Sequence, residues 1–139
     1  MQNSPTAAFE SEWITLQNQY DSYEKYALVI KLLSVALCAS LLFHHKLDYL
    51  FVVLLALCWL IESIWKTFQS RISVRLIKIE HAIAQQQSAG AMQFHCDWLA
   101  TRPSGVKLVL EYLKNSLTPT VLVPHGILCS VGAYVAYFY

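Results

Sequence analysis

Tyr49-Leu50-Phe51-Val52-Val53-Leu54-Leu55-Ala56-Leu57-Cys58-Trp59-Leu60-Ile61 is almost purely apolar. No Gly or Pro separates it from a charged continuation through Glu62, Lys66, Arg71, Arg75, Lys78 and Glu80. The stretch from Asp48 to about Gln87 reads as one helix that begins in a membrane and runs on into water.

Composition supports that reading. Of 139 residues, 56% are hydrophobic and 14% charged, against about 25% charged in soluble domains. The apolar residues gather in three blocks, Ala27–Phe43, Tyr49–Phe68 and Leu117–Tyr139. A spanning helix needs roughly 20 mostly apolar residues, within about 17–25. The blocks reach that length once interfacial Tyr, Trp and Lys are included. The competing reading is a soluble helical bundle, whose buried helices are rarely apolar on every face. A net charge of +1 argues against nucleic acid as a partner. The first 26 residues are polar and mildly acidic, so no cleavable signal peptide is expected. Cys38, Cys58 and Cys129 sit in apolar blocks and Cys96 in a polar one, which is no disulfide framework.

Upstream, Ser4-Pro5 offers a helix start. Phe9, Trp13, Leu16, Tyr20, Tyr23 and Ala27 then recur at spacings of 4, 3, 4, 3 and 4, a heptad seam flanked by polar residues. His44-His45-Lys46-Leu47-Asp48 is the only turn candidate before the second apolar block. So short a connection makes the two helices antiparallel neighbours. With Lys46 at the tip, facing residues have numbers summing to about 92. Phe9 then meets Ile83, Trp13 meets Ile79, Leu16 meets Leu76, Tyr20 meets Ile72, Ala27 meets Trp65 and Ser34 meets Cys58. Nearly every matched position is apolar or small. The same register sets Asp21 opposite Arg71 and Lys31 opposite Glu62, with Lys66 one turn beyond Glu62 in the favourable order. Lys31, Glu62 and Lys66 form a candidate polar cluster at the membrane boundary. It is either an ion or proton site or a salt bridge that locks the hairpin.

Gln85-Gln86-Gln87-Ser88-Ala89-Gly90 stops the helix. A short helix is expected within Met92–Ala100. Thr101-Arg102-Pro103-Ser104-Gly105 breaks the chain. Ser104 is placed to cap an amphipathic helix through Val106, Val109, Leu110, Leu113 and Leu117, lying on the membrane surface or against the aqueous hairpin. Thr118-Pro119 opens the last block, in which Pro124-His125-Gly126 predicts a kink or loosened turn. Gly126, Ser130 and Ala133 form one small-residue stripe, and Gly132 with Ala136 another, either of which admits a neighbouring helix.

Catalytic and metal patterns are sparse. Adjacent His95-Cys96-Asp97 diverge by about 100° on a helix and lack ligand spacing. His44 and His45 read as solvated turn residues, with metal binding or pH sensing as the other use. His125 and Ser130 form a candidate intramembrane polar site, although residues five apart face different directions. A haem held by His125 requires a symmetric oligomer. No cofactor, metal or catalytic residue is assigned.

The expected fold is an all-α membrane protein with three transmembrane helices. Residues 1–87 form a long hairpin, with spans at about 27–43 and 49–68 and aqueous coiled-coil arms at 5–26 and 69–87. Residues 88–117 connect it to a third span at 118–139. Lys46 stands alone at the tip, while the other basic residues fall at the hairpin's open end or in the middle region. The positive-inside rule then puts the N-terminus in the cytoplasm and the C-terminus outside, in a bacterial cytoplasmic membrane. The expected role is a non-enzymatic scaffold or accessory subunit that self-associates or holds another membrane protein. The alternatives are an oligomeric pore or effector, and a membrane redox or enzyme subunit.

Overall fold

The structure, a computed structural model, describes residues 6–44 and 49–138, apart from the side chains at 41, 42, 44, 49 and 136. The Ser4-Pro5 start, the Lys46 tip, His45 and the side chains of His44 and Ala136 therefore lie outside the described residues. Among those described, the chain is all helix: α1 (Ala7–His44), α2 (Tyr49–Ala84), α3 (Phe94–Thr101), α4 (Val106–Ser116) and α5 (Pro119–Phe138).

Helices α1 and α2, of 38 and 36 residues, pack as an antiparallel pair roughly 55 Å long at 1.5 Å per residue. The heptad-spaced positions of α1 face α2. Phe9 and Leu16 are buried with Ile72, Leu76, Ile79 and Ala82, and Trp13, Tyr20 and Tyr23 pack against them. Trp13 Nε1 donates to Glu80 Oε1 at 3.1 Å, and Gln69 Nε2 donates to the Tyr20 carbonyl at 3.2 Å. Those residue numbers sum to 93 and 89, bracketing the expected register. Trp65, expected opposite Ala27, lays its ring 5.1 Å from Tyr23 and 5.6 Å from Tyr26.

Seam burial gives a paired test on one helix. Ile79 is fully buried, whereas Ile77 is 52% exposed. Ile79→Ala is expected to lower unfolding stability by about 2–5 kcal/mol. Ile77→Ala should stay within about 0.5 kcal/mol. Chemical unfolding followed by circular dichroism reads both, and equal losses would contradict the seam.

In the apolar blocks the distribution turns inside out. Ser34, Glu62, Ser63, Thr67 and His125 are buried, while Leu28, Val29, Leu32, Val53, Leu60 and Ile127 point outward and are mostly exposed. A small apolar core of Cys38 and Leu55, with Phe51, Leu128 and Cys129 around it, joins α5 to the hairpin. By length and composition, α2 over Leu50–Ala84 is able to cross a membrane. Helices α4 and α5 meet that standard only together, and they are bent by 73° at their junction. One membrane-capable helix among the described residues is thus the firm count, against the three expected.

Helix α2 ends at Ala84, at the expected stop over 85–90, where Gln86 takes a positive φ of 52° and Gly90 one of 101°. Two local expectations change. Ser104 does not cap α4. Gly105 occupies that position with φ 55° and ψ −128° and makes no side-chain bond, a conformation that favours the residue without Cβ. Pro124 stays inside an unbroken α5. The sharp change of direction falls instead at 117–118, where the Thr118 hydroxyl donates to the Asn115 carbonyl just before Pro119. Helix α4 packs against α2 with one edge, as one of the two expected placements has it, and leaves Val106, Val109, Leu110, Leu113 and Leu117 exposed.

Candidate functional site

Three helices converge on Glu62, whose side chain is completely buried. Lys31 of α1 brings Nζ to 2.7 Å from Oε1. His125 of α5 brings Nε2 to 2.8 Å from Oε2. The lysine contact is close but not aligned as a hydrogen bond, so Oε1 is held by charge. Lys31 keeps 26% of its side chain exposed, so its ammonium group reaches the surface of the bundle. A buried carboxylate without partners costs several kcal/mol. Here α1 and α5 each supply one.

Trp59, three residues before Glu62 on α2, stacks on His125 with ring centroids 6.5 Å apart and planes 6° from parallel. Its indole N–H donates to the Ser116 carbonyl at 3.2 Å, satisfying part of the C-terminus of α4. Asn115 Nδ2 donates to Thr67 Oγ1 at 3.0 Å. The C-terminal end of α4, just before α5, is therefore clamped by side chains two turns apart on α2.

The ring contacts assign the imidazole tautomer. Glu62 is the acceptor, so Nε2 carries the proton that it donates. His125 Nδ1 is buried and has no partner. In a neutral imidazole Nδ1 is then a bare lone pair, less costly to bury than an unmet N–H. The cluster joins one lysine, one carboxylate and one imidazole. Chemically it can fix three helices at one depth.

Of the residues expected at the boundary, Lys31 and Glu62 meet, and Lys66 does not join them. Lys66 Nζ reaches Gln69 Oε1 at 2.7 Å and Glu24 Oε1 at 3.8 Å. Both Glu62 oxygens point into the bundle, while Lys66 sits on its edge. His125 takes the place expected for Lys66. Ser130 is exposed and donates to the Gly126 carbonyl at 2.7 Å, so it makes no dyad with His125. A Cβ at Gly126 would meet nothing within 4 Å, and Ala133 is exposed. That stripe opens outward, whereas Gly132 is buried.

A second buried cluster, at the hairpin base, has no counterpart in the sequence reading. Arg75 Nε donates to Glu12 Oε1 at 2.8 Å and Nη2 to Oε2 at 2.9 Å. Nη1 reaches Asp97 Oδ2 at 2.9 Å, and Nη2 also reaches the Gly90 carbonyl at 2.9 Å. The Met92 amide donates to Glu12 Oε2 at 2.6 Å. The bidentate hydrogen bonds to Glu12 raise the Arg75 guanidinium above its ordinary pKa, against the opposing effect of burial. Arg71, expected opposite Asp21, instead stacks over Trp98 at 4.0 Å and reaches Glu111 at 3.4 Å. Asp21 accepts from Gln17 on its own helix. Among the described residues no group of three or more His, Cys, Asp or Glu is placed to hold a metal ion.

Comparison with protein families, curated proteins and solved structures finds no match.

Proposed function

We propose that the chain is a three-span membrane protein acting as a non-enzymatic scaffold or accessory subunit. Its Lys31–Glu62–His125 centre locks the third span onto the hairpin. The observation that carries this is the partly inverted burial of the apolar blocks: Glu62, His125 and Thr67 inside, and many Leu and Val side chains, such as Leu28, Val29, Leu32 and Val53, outside. Lipid is the solvent that tolerates this arrangement, since intramembrane ionisable groups face the bundle interior and pair with one another. The spans are α1 from Ala27, α2 to about Phe68, and α5. The base of the hairpin lies in the cytoplasm of a bacterial cell, and α5 ends outside.

The scaffold reading is preferred to a pore because Glu62 is engaged on both oxygens by its own chain. A charge engaged in that way holds helices together and does not line a path between copies. The outward stripe Gly126–Ser130–Ala133 supplies a close-approach face for a second copy or another membrane protein.

Extraction with alkaline carbonate should leave the protein in the membrane pellet. Purification in mild detergent should recover it with a partner chain or as a defined multimer. Release into the carbonate supernatant would end the membrane reading. A strict monomer with no partner would end the scaffold. Ion conductance in proteoliposomes that disappears in Glu62→Gln would replace the scaffold with a pore.

A further inference from the structure

A cavity of about 340 Å³ opens between α2, α3 and α4. Arg71, Arg75, Lys78 and Lys114 reach its walls, against two carboxylates, Asp97 and Glu111. Arg75 is engaged by Glu12 and Asp97. Lys78 shares that same Asp97 at 3.3 Å, and Arg71 meets Glu111 only at 3.4 Å. Lys114 is exposed and has no ion-pair partner among the described residues. The wall therefore carries positive charge in excess of its internal pairing.

The cavity lies where the apolar run of α2 ends. Helix α4 crosses α2 there, with Asn115 on Thr67 and Glu111 on Arg71. The 73° bend leaves α4 far from parallel to α5, so a spanning α5 turns α4 towards the membrane plane. At about 100° per residue, the exposed face of Val106, Val109, Leu110, Leu113 and Leu117 lies opposite the edge that meets α2. Lys107 and Lys114 share one flank. Lys114 lines the cavity together with Arg75 and Lys78. On the other flank, the Ser116 carbonyl takes Trp59 from deeper in the apolar run. An apolar face turned outward with lysines along its wet edge is the disposition of an interfacial helix.

We propose that α4 lies in the membrane interface and that the cavity behind its lysine flank binds the phosphate of an anionic phospholipid through Lys114, Lys78 and Arg71. This rests on the membrane reading above, which the carbonate extraction tests separately. Native mass spectrometry of the detergent-purified protein, after incubation with phosphatidylglycerol or phosphatidylcholine, reads the site. Phosphatidylglycerol should be retained and phosphatidylcholine should not. Lys114→Gln and Lys78→Gln should each weaken retention about fivefold, the effect of one lysine near an anionic surface. Lys107→Gln, on the same flank but outside the cavity, should change it little. Equal retention of the two lipids would overturn the site in favour of apolar adhesion that ignores charge, and an equal loss in Lys107→Gln would overturn it in favour of general surface charge. Displacement of the lipid by millimolar inorganic phosphate would also overturn it, by reassigning the cavity to a soluble anion. A protein that stays in the carbonate pellet yet retains no anionic lipid fails this proposal and leaves the membrane reading intact.

Discussion

Glu62→Ala is expected to destabilise the folded protein by about 3–5 kcal/mol, the usual cost of removing one partner from a buried ion pair. The substitution leaves the His125 ring, 1% exposed, with neither of its nitrogens bonded. It also strands Lys31, which recovers part of its loss by turning toward water, since 26% of its side chain is already exposed. Lys31→Met should therefore cost less than Glu62→Ala. His125→Ala adds a cavity under Trp59 to the lost hydrogen bond and should approach the glutamate variant. The three effects should fall well short of additive, because each single change already breaks the shared cluster. Replacing all three residues with apolar ones of similar volume should cost less than Glu62→Ala alone, as it does for other buried ion clusters. Unfolding in detergent followed by circular dichroism measures the series. A Glu62→Ala protein within 1 kcal/mol of the parent would mean that the convergence on this carboxylate contributes little to stability.

Arg75→Met should be comparably severe, at about 3–5 kcal/mol, but with a different local signature. It leaves the buried Glu12 carboxylate with only the Met92 amide, frees the Gly90 carbonyl and leaves Asp97 only its contact with Lys78. Amide exchange should accelerate across 85–101 while α5 keeps its protection. Uniform acceleration along the chain would show that the cluster is a global core element and not a tie to α3. Alkaline titration is a poor probe here. The guanidinium pKa is raised from a value already far above neutrality, so its stabilisation is fully present below its unfolded pKa and fades only as pH rises through the still higher folded one.

The hairpin was readable in the sequence because its two arms carry the same information twice. The spacing from Phe9 to Ala27 proposed a face, and the matched positions from Trp65 to Ile83 accepted it within a few residues. What escaped was set by side-chain reach. Glu12 and Arg75 sum to 87, about five short of the register, a gap that an arginine fork and a glutamate stem span together. Helical spacing alone pairs Lys66 with Glu62, but spacing along one helix does not say which way a carboxylate turns. His125 was legible as a polar residue at a certain depth. Its partner was not, because nothing in the letters between Gln85 and Leu117 fixes how α5 rotates about its own axis. The 73° turn before Pro119 is likewise a tertiary fact. Thr118-Pro119 announces a helix start and leaves its direction open.

The inverted burial of the apolar blocks has a bearing on how this sequence can drift. Positions such as Leu28, Val29, Leu32 and Ile127 face outward, and one branched aliphatic serves there as well as another. Ser34, Glu62, Thr67 and His125 are confined by length and bonding to one or two alternatives each. Mutational tolerance should then run opposite to that of a water-soluble bundle, with a permissive greasy exterior and a restrictive polar interior. A diverged descendant would share few apolar letters with this chain. It would be identified by a lysine, a glutamate and a histidine held far apart in sequence and at one depth.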